Sequence, residues 1–291
     1  MKRVAPIFTV VAAIIAIWYV AAVFLNAPFE RDQAERAGRP IAFSEILQRT
    51  MVQERPILPA PHQVAAELWD TTVTKKITSK RSLVYHAWIT LSATLLGFVM
   101  GTVLGIVLAV GIVHSSVLDK SLMPWIITSQ TIPILAIAPM IIVVLSSVGV
   151  TGLLPKALIS TYLSFFPVAV GMVKGLRSPE AMHLDLMKTY SASRSNVFWK
   201  LRVPASMPYL FTSMKVAVAA SLVGAIVGEL PTGAVAGLGA RLLAGSYYGQ
   251  TVQIWSALFA AAIMAALLVT LIGMLGTWVN RRMGVRPEAA R

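Results

Sequence analysis

The feature that most constrains this chain is a set of six apolar runs, at about residues 6–25, 86–113, 122–148, 156–175, 209–230 and 254–279. Each is long enough to cross roughly 30 Å of hydrocarbon. A bilayer offers the backbone no water, so each N–H and C=O must pair within its own segment, which requires helices. The expected fold is all-α, a polytopic membrane protein with six transmembrane helices. Composition agrees: 57% of residues are hydrophobic, 13% are charged and the mean hydropathy is +0.74. A net charge of +13 would suggest nucleic acid in a soluble chain, but here it reads as basic loops between spans, and no aromatic-plus-basic nucleic-acid module is present. The absence of cysteine excludes disulfides, thiol catalysis and cysteine-ligated zinc.

Basic residues assign the sides. Met1-Lys2-Arg3 precedes a first run longer than the ~7–15 apolar residues of a signal peptide, so it reads as an uncleaved span with its N-terminus inside. Residues 26–82 are polar and interrupted by Pro28, Pro40, Pro56, Pro59 and Pro61, which reads as an external loop. Its nine Lys/Arg, Lys75, Lys76, Lys80 and Arg81 among them, run against the positive-inside rule, which weakens for loops near 60 residues. Between Gly171 and Lys215 seven Lys/Arg face Glu180 and Asp185 alone, which places that stretch in the cytoplasm; Arg281, Arg282 and Arg286 put the C-terminus there too. The expected organisation is a first transmembrane helix over 1–25, an external loop with an interfacial helix over 26–85, a five-helix core over 86–283, and a tail over 284–291.

Within the spans, Gly97, Gly101 and Gly105 recur every fourth residue, and Ala217, Ser221, Gly224 and Gly228 line up on adjoining turns, so other helices can approach closely. Pro133 and Pro139 predict a kinked third span, and Pro167 a bend in the fourth. Ser129, Gln130 and Thr131 are candidates for lining a translocation path or for bonding between helices. Glu229, an ionisable group at the outer end of the fifth span, is a functional candidate or a group that reaches interfacial water. Residues 234–253 predict a glycine-rich external turn with interfacial tyrosines.

Several chemistries lack their residues. There is no G-x-x-x-x-G-K-[ST] phosphate loop, so the chain is not expected to hydrolyse ATP alone. His62, His86, His114 and His183 are scattered without metal-ligand spacing. No nucleophile–base set or carboxylate pair can be assembled, and no enzyme is expected. The spans are nearly empty of charge, so a driving force from outside the chain is expected.

The exception to the apolar pattern is residues 178–208, SPEAMHLDLMKTYSASRSNVFWKLRVPASMP. Ser178 can cap a helix with Pro179 at its first position and Glu180 in its first turn. Met182, Leu186 and Tyr190 share one face. Ser193 can cap a second short helix carrying Val197, Phe198 and Leu201, which Pro204 should end. This segment resembles the cytoplasmic EAA loop of ABC importer permeases, whose pattern is Glu-Ala-Ala, three residues, Gly, nine residues, Ile-x-Leu-Pro. Anchored on Pro204, it falls on Asp185, Leu186 and Met187, then Ser191, then Leu201, Val203 and Pro204. The spacing holds, while Asp, Leu-Met and Ser replace the family's Glu, Ala-Ala and Gly. Leu58-Pro59-Ala60-Pro61 before a short helix, the Ile-Pro of the third span and Gly237-Leu238-Gly239 resemble, in the same order, features of the nitrate/sulfonate/taurine-type permeases.

The resemblance implies a type I ABC importer permease of the bacterial inner membrane, multi-pass, with both termini cytoplasmic. It implies a second permease copy as a homodimer partner, two ATPase subunits below and an external solute-binding protein above, with membrane lipid around. No cofactor is expected in this chain, ATP and Mg being held by the ATPase. The cargo would be a small polar solute, nitrate-, sulfonate- or taurine-like or pyrimidine-like. On this reading Met182, Leu186, Met187 and Tyr190 plug an ATPase groove, Asp185 and Lys188 contact its rim, and Ser191 must make a turn that suits glycine. The alternative is a self-sufficient carrier or channel that uses Glu229 and the Gln130-Thr131 kink.

Overall fold

The computed structural model describes residues 4–231 and 236–284. Met1–Arg3, Arg286 and Thr232–Val235 of the glycine-rich turn therefore lie outside the described residues, as does the tail from 285. The described chain is helical: α1 Val4–Arg36, α2 Phe43–Val52, α3 Pro61–Trp69, α4 Leu83–His114, α5 Ser116–Ser129, α6 Ile134–Ser147, α7 Leu153–Leu176, α8 Ala181–Thr189, α9 Arg194–Val197, α10 Val203–Glu229, α11 Leu238–Tyr247 and α12 Thr251–Arg282. Five helical stretches are long and apolar enough to span a membrane, and α5 with α6 form a sixth if counted as one broken span.

The chain divides into two compact units. The first joins residues 1–87 to 240–261. Here α1 does not stop near Leu25 as the polarity suggested; it runs through Pro28 to Arg36. Asn26, which reads in sequence as the end of the span, is fully buried. Its Oδ1 accepts from the Ile57 and Leu58 amides at 2.8 and 3.2 Å, and its Nδ2 donates to the Leu58 carbonyl at 2.8 Å. Trp18 donates to the Pro59 carbonyl at 2.9 Å, and Thr251 to that of Pro56. The extended Leu-Pro-x-Pro stretch, with no ladder of its own, thus has its backbone groups satisfied by side chains before α3 begins.

The second unit joins residues 88–239 to 262–291. Its centre is α7, and small residues decide what packs there. A Cβ at Gly97 would lie 2.2 Å from Ser160 Cβ, one at Gly101 2.1 Å from Ser164 Oγ, and one at Gly105 2.8 Å from the Phe165 carbonyl. On α10, a Cβ at Gly224 would meet Ser160 Cα at 2.7 Å. The four-residue glycine spacing on α4 therefore matches one face of α7, and α10 covers another, giving the close backbone approach that small residues permit in a membrane. Apolar burial continues where Ala138 and Ile142 of α6 meet Ile159 and Val227.

The third apolar run is broken rather than kinked. Its halves, α5 and α6, are bent by 99° about residues 130–133. Pro133 supplies no amide, and its ψ of 117° takes the chain out of the helix before α6 starts. The glycine-rich external turn is also reshaped, since residues 238–247 form the helix α11, with Tyr247 and Tyr248 exposed.

Candidate functional site

In the 178–208 segment, α8 carries no buried residue. Met182, Leu186 and Tyr190, spaced by four, are 70%, 52% and 76% exposed, an apolar row left open. Met187 differs from the expected plug set in being half-buried. Asp185 and Lys188 pair at 2.8 Å with both side chains well exposed, which contributes little stability.

The end of α8 answers the question Ser191 raised. The Ser191 amide donates to the Lys188 carbonyl at 2.8 Å, and the Ala192 amide to that of Met187 at 2.9 Å. These two bonds define a Schellman closure, which needs a left-handed residue just past the helix. Ser191 occupies it with φ 50°, and it is the single non-glycine residue with positive φ among those described. Ser191, which stands where the resembled motif carries glycine, thus takes a left-handed conformation that is costly for a residue with a Cβ.

Two expectations for the segment are corrected. Ser178 does not cap α8; its hydroxyl donates to the Gly175 carbonyl at 2.7 Å and closes the last turn of α7. The unpaired carbonyls of α7 end two residues earlier and are within its reach. Arg202 adds a bond to the Leu176 carbonyl at 3.2 Å. Nor does Pro204 end a helix. Ser193 caps α9 through the Asn196 amide at 3.3 Å, and the chain passes through a π-helical turn, Phe198–Arg202, straight into α10. Pro204 then lies in the first turn of α10, and the wider π turn accommodates its missing amide. One continuous span of 36 residues, Arg194–Glu229, results.

Glu229 is not at interfacial water; it is fully buried at the end of α10. Thr90 of α4 donates to both its oxygens at 3.0 Å, the Gly239 amide donates to Oε2 at 2.8 Å, and Lys156 Nζ of α7 lies 3.6 Å from Oε1. Thr90 in turn accepts from the Leu238 amide at 2.8 Å. The Gly-Leu-Gly turn folds around this carboxylate so tightly that a Cβ at Gly237, where φ is +132°, would stand 2.2 Å from Glu229 Cδ. The end of α10, the starts of α7 and α11, and Thr90 of α4 meet on one carboxyl group. Sequence reading missed Thr90 and Lys156; the latter carried a usable signal, a cation just inside an apolar run.

Ser129, Gln130 and Thr131 form the α5–α6 break. Ser129 and Thr131 return their hydroxyls to the Ile126 and Thr128 carbonyls at 2.7 and 2.8 Å, and Gln130 Nε2 donates to Ser129 Oγ at 3.3 Å. Tyr162 of α7, which the sequence did not single out, donates to the Ser129 carbonyl freed by the break. Gln130 is half-buried and Thr131 exposed. The bonds to Glu229 come from Thr90, Gly239 and Lys156 and not from Ser129, Gln130 or Thr131.

Residues 101–285 match the family described as "Binding-protein-dependent transport system inner membrane component". The chain is 31% identical over 80% of its length to the riboflavin transport system permease protein RibX of Chloroflexus aurantiacus, covering 81% of that protein. It is 29% identical over 65% of its length to the formylaminopyrimidine transport permease protein ThiX of Halalkalibacterium halodurans, covering 71% of it. Against the nitrate import permease protein NrtB of Leptolyngbya laminosa the identity is 24%, over 75% of this chain and 78% of the relative. With its all-helical polytopic fold and the matched region covering the broken third span, α7, the 178–208 segment and α10, the chain belongs to the binding-protein-dependent ABC importer permeases, as a multi-pass transmembrane subunit.

Proposed function

We propose that this subunit imports a small nitrogen heterocycle, of pyrimidine-like chemistry, by ATP-driven alternating access. Two copies pair, two ATPase subunits bind the cytoplasmic face, and a loaded external binding protein docks opposite; ATP and Mg are held by the ATPases. Both termini are cytoplasmic on this reading. The observation that carries the coupling role is the open row on α8, where Met182, Leu186 and Tyr190 are each more than half exposed. An ATPase groove that receives this row, with Met187 packed behind it and Asp185 and Lys188 at the rim, would pass ATPase closure to α7 and α10. The route is short, because Ser178 and Arg202 tie both ends of the segment to the last turn of α7. Gln130 and Thr131, at the break, are the proposed path-lining residues, while Glu229 is assigned to holding helix ends.

The substrate class is supported by the relatives: those named for riboflavin and formylaminopyrimidine are 31% and 29% identical, and those named for nitrate and aliphatic sulfonates are 24%.

Reconstitution with and without the ATPase and binding protein tests the reading. Uptake should need both and should fail in Leu186→Asp, whose ATPase should no longer co-purify. Uptake by the permease alone would reject it in favour of a self-sufficient carrier. Tight binding of nitrate or taurine by the cognate binding protein, with none of pyrimidines, would reject the substrate class.

A further inference from the structure

Lys215 has no place in the coupling or clustering described above. It lies twelve residues past Val203 and fourteen short of Glu229, about 18 Å and 21 Å along α10 at ~1.5 Å per residue. Among the described residues its exposed ammonium makes no ion pair or hydrogen bond, in contrast to Lys156 near the end of α7. Within the apolar run 209–230 Lys215 stands six residues, about 9 Å, from the end of the run, and a lysine inside an apolar run is costly unless an anion or a route to water compensates it.

The surrounding surface has the shape and chemistry to supply the anion. Lys215 borders a groove of about 610 Å³ against α12, with Thr270, Gly273, Thr277 and Arg281 along its length. Gly273 leaves room for the lysine stem, since a Cβ there would stand 3.2 Å from Lys215 Cε and 3.5 Å from Nζ. The lining holds two cations and two hydroxyls and no carboxylate. The rest of the lining, Val269, Met274 and Trp278 of the same helix, is apolar, and α12 also exposes Leu267, Leu271 and Leu275. Arg282 lies over the Trp278 ring at 5.0 Å, an aromatic–cation pair of the kind found where a span meets headgroups.

We propose that this groove binds an anionic phospholipid. Its phosphate sits between Lys215, Thr277 and Arg281, and its acyl chains lie along the apolar strip of α12. A phosphodiester compensates the lysine, as basic pockets between membrane helices do for acidic headgroups. The apolar wall favours lipid over a free anion, which would leave Met274 and the leucine strip without a partner.

The test uses the full chain with its co-purifying subunits, delipidated in mild detergent and then given phosphatidylglycerol or phosphatidylcholine, with retention read by native mass spectrometry and thermal shift. The expected preference for phosphatidylglycerol is about 30-fold, as two basic groups near a lipid surface give. Lys215→Met should fold and lose roughly fivefold of that preference, while Lys215→Arg should keep it. Gly273→Leu fills the groove with both cations intact and should lose it as well. Equal retention of the two lipids by the unaltered chain would overturn the proposal, as would an undiminished preference in both Lys215→Met and Gly273→Leu. Displacement of the lipid by millimolar inorganic phosphate would also overturn it, marking instead a site for a free anion.

Discussion

Helices α7 and α8 follow one another with four residues between them, and they treat their side chains in opposite ways. Thirteen residues of α7 are buried, among them Lys156, Ser160, Thr161 and Ser164, whereas α8 buries none and turns Met182, Leu186 and Tyr190 outward. In a membrane span the hydrophobic effect does not drive helices together, so α7 is held by close approach of small residues and by polar groups satisfied across helices. In water an exposed apolar row is the costly feature, and on the proposed reading the row on α8 is the surface that the ATPase covers. Polar burial on one helix and apolar exposure on the next thus follow from the same physics in two solvents.

The largest expected effect falls on the buried side of this contrast. Glu229→Ala leaves Lys156 buried without its counter-charge and should destabilise the purified protein by about 3–5 kcal/mol, measured by unfolding in detergent. Glu229→Leu with Lys156→Met removes both charges and should recover most of the loss; no recovery would mean that Thr90 and the Gly239 amide, rather than the ion pair, carry the cluster. Next, Gly97→Leu forces a side chain into Ser160 and should cost about 1–3 kcal/mol or more by the same measurement. On the exposed side, Leu186→Asp should change stability by less than about 0.5 kcal/mol, so a loss of ATPase binding in that variant reports the surface and not the fold. A large fall in its melting temperature would break the comparison. Smallest is Ser191→Gly, which keeps the left-handed turn and relieves its strain, and should add about 0.5–1 kcal/mol to local stability with assembly preserved or improved. Hydrogen-exchange protection at the Ala192 amide is the sensitive readout, and a clear loss there would show that the serine side chain contributes to the elbow.

What could be read in advance followed from rules that act locally along the chain. The Ser193 cap, the four-residue glycine stripe and the left-handed demand at Ser191 are each set by a few neighbouring residues, and each is found in place. The misreadings came where two neighbours compete for one group. Ser178 had a helix on either side and closed the earlier one, and Pro204 looked like a stop because the π turn that accommodates it has no sequence signature. Asn26 looked like the end of a span because its partners, Ile57 and Leu58, are more than thirty residues away.

The sequence by itself determined that the chain crosses a membrane several times as helices, that a polar segment separates the fourth and fifth spans, and that this segment has the spacing of a coupling loop. Length, hydropathy and local backbone preference suffice for these, because a backbone in hydrocarbon has few ways to satisfy its own hydrogen bonds. Only the tertiary structure decided that the third apolar run breaks by 99°, that Glu229 gathers Thr90, Lys156 and the Gly-Leu-Gly turn, and that Lys215 faces a groove with no counter-charge among the described residues. Each depends on which charged or polar groups meet across helices, and that is settled by packing between residues far apart in the chain.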